Sequence, residues 1–172
     1  MQSNGDGGFT PRERTRVERI AEAIVASRPG SWWFVNVAPY IDRTLMRLSG
    51  GRLTSAGFGR VGLLRVKGAK SGTLRETPLM YTRDGDDVLL VASRGGDVKH
   101  PAWYRNVVAN PELSFAIDGD ERQYRARIIE PGPERERAWD LVCDRYSGYI
   151  VYQQRAGDRV IPIVRLEPRA AS

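Results

Sequence analysis

Two dipeptides, Asp84-Gly85 and Asp118-Gly119, each lie between short apolar runs, and they constrain the fold more than any other feature of this sequence. Asp-Gly accepts the positive backbone angles of a tight hairpin and so joins neighbouring antiparallel strands. "ETPLMYT" and "DVLLVAS" flank the first dipeptide, "ELSFAI" and "RQYRARIIE" flank the second, and "VGLLRV" precedes them all. The first three runs read most simply as a β-meander. "RVIPIVRLEP" closes the chain as a further strand, in which Pro162 favours an edge or a bulge because it has no N–H for the ladder. Hairpins outnumber helices and the order is not βαβ. The expected fold is therefore an α+β domain whose antiparallel sheet closes into a small barrel, in preference to a Rossmann fold.

Helical patterns surround these strands. Thr10-Pro11-Arg12-Glu13 reads as a capping box, and Val17, Ile20, Ala21, Ile24 and Val25 then share one face up to Pro29-Gly30. A second pattern runs through Ile41, Leu45 and Leu48 and stops at Gly50-Gly51, with Trp32, Trp33 and Phe34 leading into it. "HPAWYRNVVANP" is a short helix opened by Pro101, and "GPERERAWDLVCDRY" is helical by the spacing of Ala138, Leu141 and Val142. The expected layout is a disordered lead over residues 1–10, beginning "MQSNGDGG", then a helical segment over 11–52 and the barrel domain over 53–172.

Composition removes several function classes. With one cysteine, Cys143, and one histidine, His100, an internal disulfide is excluded and a zinc site built from protein ligands alone is disfavoured, so the expected compartment is reducing. No apolar stretch approaches the roughly twenty residues that span a bilayer, and no signal-peptide pattern opens the chain, so a cytoplasmic protein is expected. The 27 Lys+Arg outnumber the 21 Asp+Glu and give a net charge of +6, which points to an anionic partner: nucleic acid, anionic lipid or a phosphorylated small molecule. A P-loop and a GxSxG are both absent, so phosphate binding needs another device.

Three stretches offer candidate chemistry. In "KGAKSGTLRETP", Lys67, Lys70, Ser71 and Arg75 surround Gly68 and Gly72, and a glycine turn can aim backbone N–H groups at an anion while the cations supply charge-assisted hydrogen bonds. A solvated hairpin tip with scattered charge fits the same residues. In "ASRGGDVKHPAWYRN", Gly95-Gly96 lets backbone approach a ligand, while Lys99, His100, Trp103 and Asn106 gather at a helix start. Here the alternative makes Trp103 and Val107 core and His100 a helix-cap residue. "YSGYIVYQQR" spaces Tyr146, Tyr149 and Tyr152 three apart; if helical, each advances about 300° and all three lie within a roughly 120° arc. They then wall an aromatic substrate pocket or form a packing stripe.

With these motifs the sequence resembles the deazaflavin-dependent nitroreductase and quinone reductase family, which uses coenzyme F-420 on a split β-barrel like that of flavin reductases and pyridoxamine oxidases. The resemblance rests on "GAKSGTLRETPLMY", "VASRGGDVKHPAWYRNVVANP" and "YSGYIVYQ" followed by "DRVIPIVRLEP". It implies that the glycine turn and its cations, Lys67 included, hold the coenzyme's phosphate and acidic tail. By motif, Lys70, Ser71, Gly72, Arg75, Thr77, Pro78 and Leu79 become coenzyme contacts, and Ala92, Ser93, Arg94 and Gly95 lie beside the deazaflavin ring. His100, Trp103 and Asn106 complete that cleft, and Tyr146, Tyr149 and Tyr152 line the substrate pocket. Tyr149, Tyr152 and Ser93 stand nearest the chemistry. Many members carry Arg where this chain has Ala69 and Lys where it has Arg94.

The implied activity is that of an oxidoreductase moving a hydride from reduced F-420 to a quinone or another electron-poor acceptor, with nitroaromatics as further substrates. Trp32, Trp33, Phe34 and Leu45 beside Arg28, Arg43, Arg47 and Arg52 suggest peripheral contact with an anionic membrane, over residues 32–52; covering the barrel is the alternative. A monomer or a homodimer is expected, with no metal. The rival readings are an FMN-dependent reductase, a non-catalytic carrier of coenzyme or lipid on the same fold, and a nucleic-acid-binding barrel, which lacks any recognisable motif here.

Overall fold

The computed structural model describes residues 61–169. The helix expected up to Pro29-Gly30, the helical pattern through Ile41, Leu45 and Leu48, the aromatic and basic residues over 32–52, and the boundaries at 10 and 52 lie outside these residues. Six strands, β1 (Val61–Lys67), β2 (Leu74–Asp84), β3 (Asp87–Val91), β4 (Glu112–Ile117), β5 (Asp120–Ile128) and β6 (Ile163–Pro168), close into an antiparallel barrel in the order β1-β2-β3-β6-β5-β4. Helix α1 (Ala102–Ala109) joins β3 to β4, and α2 (Pro133–Arg145) and α3 (Gly148–Arg155) join β5 to β6.

Both Asp-Gly hairpins form where the sequence puts them. Asp84 faces Asp87 across the first, and Ile117 faces Asp120 across the second. Asp118 and Gly119 both take left-handed angles, φ 51° and 87°, which is the requirement of the two-residue turn that matches the twist of its strands.

The runs "DVLLV" and "IVRLEP" do not alternate apolar with polar because both barrel faces are covered. Val88, Leu90, Val164 and Leu166 point inward to a core shared with Leu64, Val66, Phe115 and Tyr124, closed at one end by Trp103 and Val107 of α1. Their neighbours Leu89 and Ile163 point outward into a second core under α2 and α3, with Ala138, Val142, Tyr146, Tyr149 and Tyr152. On that outer face the Arg165 side chain is only 7% exposed and pairs with Asp84 at 2.8 Å, Asp87 at 2.7 Å and Glu134 at 2.9 Å, tying α2 to the β2–β3 hairpin.

Two prolines report where ladders stop. β6 is an interior strand, paired with β3 and β5, and it starts at Ile163 rather than including Pro162. The expected edge or bulge is therefore corrected: having no N–H, Pro162 stays outside the ladder and only accepts from the Ala92 N–H, at 2.9 Å. Pro78 does lie within a strand, β2. It pairs with Leu63 of β1, whereas β3 pairs β2 only from Tyr81 onward. Among the described residues no strand covers the other edge of Leu74–Met80, so a residue without an N–H is tolerated there.

Candidate functional site

The glycine turn between β1 and β2 is built by its backbone and then pinned from outside. The Gly72 N–H donates to the Gly68 carbonyl at 2.8 Å, the Gly68 N–H donates to the Thr73 carbonyl at 2.9 Å, and Gly72 takes φ 64°, which favours glycine. The Ser71 hydroxyl accepts from the Thr73 N–H. Asn106 of α1 accepts the Ala69 N–H at 3.1 Å, and the amide of Asn110, just past that helix, donates to the Lys67 carbonyl at 3.1 Å. Lys67, Lys70 and Arg75 stand exposed around this turn, and no carboxylate among the described residues pairs with them. Elsewhere Arg65, Arg127, Arg137 and Arg165 all have carboxylate partners. The expected contacts Thr77, Pro78 and Leu79 follow on the uncovered half of β2, each half-buried.

The second motif leaves the barrel at the end of β3. Ala92 is buried and Ser93 is 9% exposed, after which Arg94, Gly95 and Gly96 all take left-handed angles of 50°, 66° and 85°. Gly96 needs its lack of a side chain: a Cβ there would stand 2.6 Å from the Tyr152 carbonyl oxygen and 2.7 Å from Arg155 Cβ, so this turn lies directly on α3. Arg94 pairs with Asp97 at 3.4 Å and reaches the His100 carbonyl at 3.5 Å. The imidazole of His100 stacks, tilted, on Tyr104 with centroids 4.9 Å apart. Burial pushes the His100 imidazole below its ordinary value, and the guanidiniums of Arg159 and Arg105 push it the same way, so the ring is neutral at neutral pH.

Arg159, in the loop after α3, ties this region together. Its Nη2 donates to the Ser93 carbonyl at 2.9 Å, and its Nη1 lies 3.3 Å from the Ala92 carbonyl and 3.4 Å from Nδ1 of His100. Its Nε is buried with no partner among the described residues.

Tyr146, Tyr149 and Tyr152 do come together, but not on one helical face. Tyr146 ends α2 in an extended conformation, and only Tyr149 and Tyr152 belong to α3. The chain break between the helices folds the Tyr146 ring back over Gly148, where a Cβ would collide with it. Ring centroids are 5.1 Å apart for Tyr146–Tyr149, 6.0 Å for Tyr146–Tyr152 and 6.2 Å for Tyr149–Tyr152, and the Tyr146 and Tyr152 hydroxyls are 3.1 Å apart. All three rings are buried in the second core. Burial drives the Tyr149 phenol well above its ordinary value, with Tyr152 and Cys143 adding to the shift, so it keeps its proton.

The fold thus brings the expected residues to neighbouring places: α1 holds the glycine turn, His100 precedes α1, and the 92–96 turn lies against the helix of Tyr149 and Tyr152. The three tyrosines, 6–7% exposed, take the packing-stripe alternative in the second core, and two further residues stand apart from the expectation. Trp103 is 7% exposed and packs in the barrel core, edge-on to Tyr104, instead of offering an open ring face. Asn106 spends its side-chain oxygen on the turn. Sequence reasoning missed Arg159 and Asn110 as site residues. Asn110 follows α1 within a quoted motif, whereas Arg159 carries no local signal, because its partners lie 59 to 67 positions away.

A family model described as F-420H(2)-dependent quinone reductase matches residues 41–168. An F-420H(2)-dependent quinone reductase of Mycobacterium tuberculosis (strain H37Rv) is 39% identical over 109 residues, which is 62% of this chain and 72% of that protein. The solved structure of an F-420-H2 dependent reductase (FDR-A) superposes with a TM-score of 0.58 at 41% identity, over 63% of this chain and 94% of the other. A solved domain-swapped dimer superposes with a TM-score of 0.60 at 38% identity, over 74% of this chain and 96% of the other.

Proposed function

This chain belongs to the F-420H(2)-dependent quinone reductase family, and from that premise we propose that it reduces a menaquinone-like or other electron-poor conjugated acceptor, nitroaromatics included, held against the tyrosine cluster. The observation that supports the reading is that both turns are fastened to neighbouring helices: the 92–96 turn lies on the helix of Tyr149 and Tyr152, and the glycine turn is tethered to α1, the helix that His100 precedes. The donor set fits F-420. Lys67, Lys70 and Arg75 supply three cations without carboxylate partners among the described residues, suited to a phosphate and an acidic tail. The uncovered half of β2 and the left-handed turn at Arg94–Gly96 let a flat ring approach backbone.

Bound there, the reduced coenzyme supplies a hydride to the acceptor. The chain's own tasks are to orient, to exclude water and to meet the charge that develops on the acceptor oxygen. Lys70, Ser71, Gly72 and Arg75 hold the anionic end; Ala92, Ser93, Arg94 and Gly95 set the ring plane; Tyr149 or Tyr152 donates a hydrogen bond, or a proton, to the acceptor oxygen. The protonated Tyr149 phenol suits the hydrogen-bond form of that role, its raised value making it a poorer proton donor than a free tyrosine. No catalytic base is needed.

Among the described residues no helix is long and apolar enough to cross a membrane. The aromatic and basic residues over 32–52 suit contact with anionic lipid, where a lipid-soluble quinone would be met; failure to co-sediment with anionic liposomes would remove that part. The similarity to a domain-swapped dimer favours a homodimer. The test of the activity itself is single-turnover oxidation of bound reduced F-420 on mixing with a menaquinone analogue. Oxidation faster than in free solution supports a reductase, and an unchanged rate makes the protein a carrier.

A further inference from the structure

We propose that Arg159 is a positioning residue for the coenzyme cleft: its guanidinium fork holds the Ala92 and Ser93 carbonyls and presents an N–H to Nδ1 of His100, fixing the imidazole as the neutral Nε2–H tautomer, a hydrogen-bond donor to an oxygen of bound coenzyme. This rests on the coenzyme reading above for its ligand, but the tautomer stands on geometry alone.

An arginine has five N–H donors and no acceptor, so a contact with an imidazole nitrogen is favourable only if that nitrogen carries the lone pair. Nη1 lies 3.4 Å from Nδ1, hence Nδ1 accepts and the proton of the neutral ring is on Nε2. No group among the described residues accepts from Nε2. The same fork spans the two carbonyls at the end of β3, at 3.3 Å and 2.9 Å, immediately before the left-handed turn. One side chain therefore sets both the backbone and the donor. A lysine, with a single nitrogen, cannot reach three acceptors in this arrangement. The arrangement also leaves the Arg159 Nε buried with no partner among the described residues, a cost that a merely space-filling residue would not incur.

Burial and the cations around the ring oppose its protonation. Arg159 comes from the loop after α3, Arg105 and Tyr104 from α1, and Arg94 from the preceding turn. Two acids lie near among the described residues: Asp97, engaged by Arg94 and by the Lys99 N–H, and Glu130, whose charge acts on Tyr104.

The chain has one histidine, so nitrogen-15-labelled histidine gives a single imidazole spectrum from the full-length protein without coenzyme. The expected wild-type spectrum near neutral pH shows an unprotonated Nδ1 and a protonated Nε2. A protonated Nδ1, or a charged ring, overturns the proposal before any variant is made. In Arg159→Met the ring should lose its fixed tautomer and titrate at higher pH, and F-420 affinity should fall roughly tenfold with the loss of hydrogen bonds from a charged donor. Arg159→Lys should keep the imidazole titration near wild type but not the affinity. A spectrum and titration unchanged in Arg159→Met, or an unchanged affinity beside a shifted titration, would overturn the positioning role. Because the spectrum needs no coenzyme, a wrong coenzyme assignment shows itself separately, as a correct tautomer on a wild-type protein that does not bind F-420.

Discussion

At the scale of single residues the account turns on the tyrosine cluster. Replacing Tyr149 or Tyr152 by Phe removes one hydroxyl and little volume, so turnover should drop roughly ten- to a hundredfold in whichever variant loses the donor; steady-state oxidation of reduced F-420 by a quinone checks this, and unchanged turnover in both variants removes the phenol role. Burial raises the Tyr149 phenol above its ordinary value, so its neutral donor form persists to higher pH than that of a free tyrosine. If Tyr149 is the donor, the rate should show no alkaline limb from this phenol at about pH 10, where an ordinary tyrosine ionises. Gly148→Ala places a methyl group in the Tyr146 ring and should destabilise the protein by about 1–3 kcal/mol, read by thermal unfolding. The sequence made these residues legible as a group but not their arrangement. Three-residue spacing suits a helix, and what broke it is local: Tyr146 is extended and Ser147-Gly148 restarts the chain. Trp103 was ambiguous for the opposite reason, since an aromatic at a helix start serves a core or a ligand equally well, and packing alone decided for the core.

At the scale of elements, the site depends on how turns are fastened to helices. Asn106→Ala frees the Ala69 N–H and should weaken F-420 binding roughly three- to tenfold while barely moving the unfolding temperature. A loss of stability with unchanged affinity would show that the tether serves the fold alone. On the far side of the barrel, burial alone would raise the Asp84 carboxyl, but hydrogen bonds from Arg137 and Arg165 outweigh it and hold it below its ordinary value. The hydrogen bond from Arg127 does the same for Glu134, with Arg165 adding to it. Carboxyls depressed in the folded state contribute stability that is present above their unfolded values and lost as pH falls through their folded ones. Acid unfolding should therefore begin below about pH 4, the unfolded range of Asp and Glu. Arg165→Met should shift that midpoint upward and cost about 2 kcal/mol near neutral pH; chemical denaturation across a pH series reads both. The hairpins, α1 and α2 were legible because their signals are local, Asp-Gly turns and apolar periodicity. The place of β6 inside the barrel was not, because pairing with β3 and β5 is a long-range fact that Pro162 alone could not reveal.

At the scale of the whole molecule, a closed barrel with an inner core and an outer core explains why motifs far apart in the chain meet. Among the described residues β2 has one half-edge without a partner strand, α1 fastens the glycine turn, and the turn after β3 lies on α3. Family membership gives this arrangement its coenzyme, and the structure adds Arg159, which no short motif announces because its partners are gathered only by folding. The most direct measurement of the central claim is fluorescence titration of the protein with F-420 beside FMN, repeated with Lys70→Ala. Tight binding of the deazaflavin over FMN, weakened roughly tenfold or more by loss of one charge-assisted contact in Lys70→Ala, is the predicted result. Preference for FMN, or F-420 binding indifferent to Lys70, would contradict it.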